Sequence, residues 1–192
     1  MTASLHELWL IRHGETEWSR SGQHTSRTDL PLTEEGERRA QALKTYLAGK
    51  QFALVLTSPM QRARVTCELA GYTEQAQVDL NLLEWDYGEY EGLTTAGIRK
   101  SQPDWTIWTS TPPDGESAAQ VGERADQVIA RACAANGDVA LFGHGHMLRV
   151  LAARWLGLEP NDGKLFALST GTISVLGHER EARVIQRWNA AP

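Results

Sequence analysis

The chain has 192 residues, of which 41% are hydrophobic and 22% charged, as in an ordinary globular domain with its own core. The formal net charge of −5 argues against a general nucleic-acid-binding protein, which carries a basic face. No stretch approaches the ~18 apolar residues of a membrane span, and residues 1–7 lack the pattern of a signal peptide. We therefore expect one cytoplasmic domain, residues 1–192, with no nucleic-acid or membrane partner.

The first half of the chain alternates predicted buried strands with predicted helices. In chain order, these elements are a strand over 7–12, a loop over 14–32, a helix over 33–47, a strand over 52–56 and a helix over 60–69. The loop is polar and long for a plain connection, which favours a functional role. Thr33 and Ser58 are the predicted N-caps of the two helices, and Pro59 suits a first helical position.

The second half continues the alternation and ends in a hairpin. The predicted elements are a short strand or extended piece over 78–83, a turn-rich stretch over 85–115 with a short helix near 94–101, a helix over 117–135, a strand over 139–142, a helix over 147–156 and hairpin strands over 172–176 and 183–187. This pattern predicts an α/β fold with a mainly parallel central sheet and a mixed edge. Cys67 and Cys133 fall in predicted helices and are expected to be buried thiols.

Polar side chains follow each of the first four predicted strands. Arg12 and His13 come after the first, Arg62 one helical turn beyond the second, Glu84 after the third and His144 after the fourth. Because the carboxyl ends of parallel strands share one edge of a sheet, these side chains are expected to converge. Taken singly, each has a plain alternative as a solvated or loop residue, and their joint occurrence favours a site.

The chemistry of this set suits phosphoryl transfer. Arginine donors and a second histidine can hold a dianionic phosphoryl group. A neutral imidazole can attack phosphorus in line, and a carboxyl group can protonate the leaving oxygen.

The segment Leu10-Ile11-Arg12-His13-Gly14-Glu15-Thr16 resembles the signature of the histidine phosphatase superfamily, the phosphoglycerate-mutase-like proteins. Further segments follow in the order and spacing of that family: Pro31-Leu32-Thr33-Glu34-Glu35-Gly36, Ser58-Pro59-Met60-Gln61-Arg62-Ala63, Leu83-Glu84-Trp85-Asp86-Tyr87-Gly88 and His144-Gly145. The resemblance covers nearly the whole chain. It implies a three-layer α/β/α sandwich and a phosphohistidine mechanism with no metal and no cofactor.

The resemblance also implies the roles of the converging residues. His13 would be the nucleophile and Glu84 the proton donor, whereas Arg12, Arg62 and His144 would form the phosphate pocket. The substrate would be a small phosphate ester. Family members are often dimers, so the resemblance allows a homodimer.

Two departures from the mutases of the family favour hydrolysis. Those enzymes carry an arginine directly after the proton-donor glutamate, where this chain has Trp85, and asparagine where it has Ser19. The stretch 93–116 is also short and holds only Arg99 and Lys100 as basic residues, so few partners are expected for a substrate carboxylate. A phosphatase is predicted, with a phosphoglycerate mutase and an inactive phospholigand-binding scaffold as alternatives.

Two segments resemble the sedoheptulose-1,7-bisphosphatase and acid-phosphatase members of the family, namely Trp18 to Thr25 and Trp85 to Leu93. A sugar phosphate or bisphosphate is therefore the expected substrate class. The predicted substrate contacts are Ser19, Thr25, Ser26, Trp85, Tyr87 and Gly145.

Several aromatic residues near these segments have less certain roles. One or two of the loop tryptophans, Trp85 among them, are expected to roof the pocket. For His24, the sequence leaves two alternatives open, a substrate contact and a plain loop residue. His144 and His146 have the spacing of a metal pair, but no carboxylate or cysteine partner recurs nearby, so no metal site is predicted.

Overall fold

The computed structural model describes residues 6–192 and shows a six-stranded sheet. The strands are, in chain order, β1 (Leu8–Arg12), β2 (Leu54–Thr57), β3 (Ala76–Val78), β4 (Val139–Gly143), β5 (Ile173–Glu179) and β6 (Ala182–Ala190). Across the sheet their order is β3-β2-β4-β1-β5-β6. Every pairing among the first four is parallel, and β5 runs antiparallel to both of its neighbours. The predicted α/β fold with a mainly parallel sheet and a mixed edge is confirmed.

Helices cover both faces of the sheet. They are α1 (Glu17–Ser21), α2 (Glu34–Tyr46), α3 (Gln61–Leu69), α4 (Thr95–Ile98), α5 (Ala118–Cys133) and α6 (Gly145–Trp155). Side chains alternate between the faces along each strand. Leu8 and Leu10 pack with the apolar residues of α5 and α6, whereas Ile11 packs on the opposite face with those of α2 and α3. The fold is thus a three-layer α/β/α sandwich.

The carboxyl ends of the three central strands lie side by side. In the parallel register, Arg12 is opposite Gly143 and Thr57 is opposite Phe142. The backbone N–H of His13 donates to the Gly143 carbonyl (N···O 3.0 Å). The residues that directly follow β1, β2 and β4 therefore lie next to each other at the same edge of the sheet.

The loop after β1 is pressed against the start of α2. A Cβ atom on Gly14 would lie 2.4 Å from the carbonyl oxygen of Gly36, and one on Gly36 would lie 2.2 Å from that of Glu15. Only glycine permits such a close backbone approach. Thr33 caps α2 as predicted, because its hydroxyl accepts the Gly36 N–H, and it also bonds the Glu15 carboxylate.

Several element boundaries differ from the sequence prediction. The third strand is β3 at 76–78 rather than 78–83, because Asp79 caps a 3-10 turn over Leu80–Leu82 that ends it. The 14–32 loop contains α1, and α6 starts at Gly145 instead of residue 147. Ser58 is not an N-cap: Met60 holds that position without a side-chain cap.

One cysteine prediction is wrong. Cys67 is buried, but Cys133 is exposed at the end of α5. Within residues 6–192, no helix combines the length and apolar character needed to cross a membrane. The expectation of no signal peptide rests on residues 1–7, of which 1–5 lie outside the described part of the chain.

Candidate active site

A cavity of ≈170 Å³ opens at the carboxyl ends of β1 and β4, and we call it the strand-end cavity. Seven of the predicted site residues line it: Arg12, His13, Ser19, Thr25, Glu84, Tyr87 and Gly145. Arg62, His144, Ser26 and Trp85 do not. A larger groove of ≈490 Å³ lies between residues 107–111 and α5, and its lining contains none of the residues that follow the strands.

The imidazole of His13 is held in one tautomer. Its Nδ1 lies 2.7 Å from the carbonyl oxygen of Gly14, and because a carbonyl only accepts, Nδ1 carries the proton. Nε2 of the neutral ring then keeps its lone pair. Burial, followed by the positive charges of Arg12 and Arg62, lowers the pKa of His13 well below its ordinary value. The ring is therefore neutral near pH 7.

Arg12 brings an unpaired donor to the same place. Its Nη1 donates to the carbonyl of Leu168, whereas its Nε is buried without a hydrogen-bond partner among the described residues. A buried donor without a partner is costly, which points to an acceptor supplied from outside the chain. A Cβ atom on Gly145 would lie 3.2 Å from the guanidinium carbon of Arg12, so glycine lets Arg12 pack against the first turn of α6.

Arg62 and His144 form a buried pair behind His13. Nε of Arg62 donates to Nδ1 of His144 (3.2 Å), which leaves Nε2 of the neutral His144 ring to donate to Ser58 Oγ (2.7 Å). Burial, the charge of Arg62 and the neighbouring His13 lower the pKa of His144 well below its ordinary value. The His13 and His144 ring centroids are 5.2 Å apart.

The guanidinium of Arg62 is fixed from three sides. Besides the bond to His144, its Nη1 donates to the Thr28 carbonyl (3.1 Å) and its Nη2 to the Ser26 carbonyl (3.0 Å). Three of the five N–H donors of this guanidinium are thus engaged within the protein. Ser26 is completely buried and its hydroxyl donates to the Glu84 carbonyl (3.3 Å), so its part is to support the site rather than to line it.

Glu84 is tied to the start of α6 by backbone amides. Its Oε1 accepts the N–H groups of Trp85 (2.9 Å) and Met147 (2.8 Å), and its Oε2 accepts that of His146 (3.0 Å). A carboxylate at a helix N-terminus is favoured by the unpaired amides there. The side chain is thereby held against the cavity wall close to Arg12.

Trp85 does not roof the cavity. Its side chain is completely buried, its indole N–H donates to the Glu116 carbonyl (2.8 Å), and its ring packs edge-on against Trp108 (centroids 5.7 Å apart). The turn-rich stretch 85–115 predicts tryptophans in loops near the pocket, but Trp85 and Trp105 belong to the core, and the partly buried Trp108 packs against it. Tyr87 does line the cavity, and its hydroxyl lies 2.6 Å from Nδ1 of His146.

Ser19 and Thr25 lie in the cavity wall on the loop after β1. The Ser19 hydroxyl donates to the Thr16 carbonyl (2.9 Å) and the Thr25 hydroxyl to the Gln23 carbonyl (3.2 Å). The Ser19 oxygen also accepts the Thr16 N–H (2.8 Å), and the protons of both hydroxyls are engaged within the loop.

Three lining residues were missed or left open: His24, His146 and Arg149. The His24 ring stacks at 4.7 Å from Tyr87, and burial lowers its pKa to about 4. Burial followed by the charge of Arg149 also lowers the pKa of His146 well below its ordinary value. For Arg149, the signal in the sequence was its place in the predicted helix directly after the fourth strand, and His146 was considered there only as one half of a metal pair.

Comparison with known proteins agrees with this geometry. The model of the histidine phosphatase superfamily (branch 1) matches residues 8–191, nearly the whole chain. The chain belongs to the histidine phosphatase superfamily. The resemblance inferred from the motifs is thus confirmed.

Two relatives within this superfamily carry enzyme names. An acid phosphatase from Mycobacterium tuberculosis is 43% identical over 93% of this chain and 89% of its own length. The sedoheptulose 1,7-bisphosphatase of Saccharomyces cerevisiae is 38% identical over 78% of this chain and 67% of its own.

A solved structure shares the fold at high similarity. It is that of an open reading frame product from Mycobacterium tuberculosis, with a TM-score of 0.92 and 41% identity, covering 97% of this chain and 98% of the other. The superfamily's sandwich is therefore preserved here over the full described length.

Proposed function

We propose that this protein is a phosphatase that hydrolyses small phosphorylated metabolites, sugar phosphates or bisphosphates, through a phosphohistidine formed on His13. The observation that carries the proposal is the state of His13, a neutral ring with its proton fixed on Nδ1 and its Nε2 lone pair free. The unpartnered Nε of Arg12 beside it gives a phosphoryl oxygen a donor.

In the first step, Nε2 of His13 attacks phosphorus and forms the P–N bond. The bond from phosphorus to the ester oxygen breaks, and its electron pair goes to that oxygen. The carboxyl group of Glu84 supplies the proton, since the negative charge of the bound phosphoryl group favours the protonated carboxyl in the complex. Donors from Arg12 stabilise the charge on the equatorial oxygens, and the buried Arg62 adds its positive charge from behind His13. Since His13 is held by Gly14 at its other nitrogen, the ring is already oriented for attack.

In the second step, water attacks the phosphohistidine. The carboxylate of Glu84 takes a proton from this water, the P–N bond breaks, and the electron pair returns to Nε2. Inorganic phosphate leaves and His13 is again neutral. Two smaller barriers replace one large one, as in other covalent mechanisms.

The named relatives support the phosphatase class, since one is an acid phosphatase and the other a sugar bisphosphatase. The residue after Glu84, Trp85, also favours a phosphatase over a mutase. Trp85 is buried and its N–H group is bound to a backbone carbonyl, so it offers no charge to a substrate carboxylate.

The test compares phosphate release with phosphoryl transfer. We expect the purified protein to release inorganic phosphate from sugar phosphates. The His13→Asn variant should lose this activity, whereas His178→Asn, at the far end of β5, should retain it as the matched control. Exchange of phosphoryl groups between phosphoglycerates faster than hydrolysis would indicate a mutase instead, and tight binding without turnover would indicate a scaffold.

A further inference from the structure

Arg149 is a positive charge in the wall of the strand-end cavity that the proposed reaction steps do not use. Its Nε donates to the Gly163 carbonyl (3.1 Å) and its Nη2 to the Lys164 carbonyl (3.4 Å). The guanidinium carbon lies 4.5 Å from the centre of the Trp108 ring. These contacts fix the planar group in one orientation.

In the described part of the chain, no acidic side chain forms an ion pair with this arginine, although the charge of Glu84 acts on it from a distance. Within residues 6–192, none of the ion pairs includes Arg149, although it is only partly exposed. Its Nη1 makes no hydrogen bond to the described part of the chain, and a guanidinium nitrogen of this kind has two donors. A partly buried cation without an ion-pair partner, held at a cavity wall, is suited to an anionic ligand.

Arg149 lies on the same wall as the phosphoryl-binding residues. It is four residues after Gly145 on α6, so both occupy one face of the helix, ~6 Å apart along its axis. Arg12 packs directly on Gly145. The cavity thus has one guanidinium at the first turn of α6 and another one turn further along.

The neighbouring cavity residues do not supply a competing positive charge. Burial lowers the pKa of His24 to about 4, and it lowers that of His146 well below its ordinary value. Tyr87 remains protonated because burial and the charge of Glu84 raise its pKa well above the ordinary value. Near pH 7, the positive charges in the lining of the cavity therefore come from Arg12 and Arg149 and not from the histidines.

From this geometry we infer that Arg149 binds a second anionic group of the substrate, a phosphate or a carboxylate, while Arg12 and His13 engage the phosphoryl group that is transferred. The inference rests on the proposed phosphatase function and narrows its substrates to small phosphate esters that carry a further negative charge. It departs from the expectation from the sequence that a substrate carboxylate would find few partners.

Matched substrate pairs test the inference. Fructose 1,6-bisphosphate against fructose 1-phosphate adds only a phosphate, and 3-phosphoglycerate against glycerol 3-phosphate replaces an alcohol with a carboxylate. We expect the wild-type protein to show the higher kcat/KM for the doubly anionic member of at least one pair. In Arg149→Gln this preference should fall ~10- to 100-fold, the loss expected for a charge-assisted contact. The substrate pair for which the preference falls shows whether Arg149 binds a phosphate or a carboxylate.

Two further variants make the outcome specific. Arg149→Lys keeps the charge without the planar fork and should retain part of the preference, which separates loss of charge from loss of folding. Arg154→Gln, on the same helix but paired with Asp126 away from the cavity, should leave the preference unchanged. Turnover of all four substrates without preference, or an equal preference in Arg149→Gln, would overturn this inference alone. Turnover of none would overturn the proposed function and this inference with it.

Discussion

At the residue scale, the reactivity of His13 follows from its surroundings. The Gly14 carbonyl selects the tautomer, while burial and two neighbouring arginines keep the ring neutral. A charged imidazole has no lone pair to attack phosphorus, so in the proposed mechanism the charges of Arg12 and Arg62 also keep His13 able to act as the nucleophile.

We predict that NMR titration of the imidazole nitrogens will place the pKa of His13 well below ~6.5, the ordinary histidine value. Arg62→Gln removes one of the charges that lower it, so the pKa should rise in that variant. Arg64→Gln, exposed on the same helix, should leave it unchanged. A pKa at or above the ordinary value in the wild-type protein would contradict this electrostatic explanation.

At the element scale, the backbone of residues 26–28 fixes the guanidinium of Arg62, and the Glu91 carboxylate fixes that backbone. The Glu91 carboxylate accepts the backbone N–H groups of Ser26 (3.0 Å), Arg27 (3.2 Å) and Thr28 (2.6 Å). The carbonyls of Ser26 and Thr28 in turn accept the guanidinium of Arg62. We therefore expect Glu91 to act as a positioning residue, through Arg62.

Glu91→Ala should lower kcat/KM by ~10- to 100-fold, because small displacements of a binding group weaken transition-state contacts strongly. Glu91→Gln, which keeps one acceptor oxygen, should restore part of the loss. The exposed Glu89 is the control, and Glu89→Ala should behave like the wild-type protein. Steady-state kinetics with one sugar phosphate would decide, and equal activity of Glu91→Ala and Glu89→Ala would refute the positioning role.

Elements with a strong hydrophobic pattern were predictable from the sequence. Parts of the cavity wall that form only when distant loops pack together were not. The ends of β1, β2 and β4 are visible because buried apolar runs stop at Arg12, Thr57 and Gly143. The site residues that follow these strands were found for the same reason. Arg149 looked like any polar helix residue, because only the tertiary packing of α6 reveals which face meets the cavity.

At the scale of the whole molecule, buried neutral histidines couple stability to pH. The pKa values of His13, His24, His144 and His146 are lowered in the folded protein, mainly by burial. In the unfolded chain, each would take up a proton near pH ~6.5. Below that pH the unfolded state binds more protons than the folded state, so folding is weakened as the pH falls toward the folded pKa values.

The free energy of unfolding should therefore decrease between about pH 6.5 and 5, with each such histidine adding up to ~1.4 kcal/mol per pH unit. Urea unfolding at a series of pH values measures the slope. The His24→Asn variant should show a shallower dependence of the unfolding free energy on pH, by at most the contribution of one histidine. A free energy that stays constant over this window would show that the histidines are not held neutral by the fold.

The wall of the strand-end cavity also depends on long-range assembly. The loop after β1 meets the segment around Thr94 through a bridge with Gln23, and α6 adds His146 and Arg149 from the other side. Sequence motifs predict the residues at the near end of this cavity, since it lies directly at the strand ends. The far end, where we propose that the substrate is selected, depends on loop packing that no local pattern encodes.

The proposed covalent step at His13 is tested most directly by trapping the phosphorylated protein. The reaction with a ³²P-labelled sugar phosphate is stopped rapidly during turnover, without the use of acid. We predict a labelled protein whose phosphoryl group is stable in alkali and lost in acid, as expected for phosphohistidine, and which maps to His13. His13→Asn should carry no label and release no phosphate. Phosphate release by His13→Asn at the wild-type rate, or a label on another residue, would contradict the proposed mechanism.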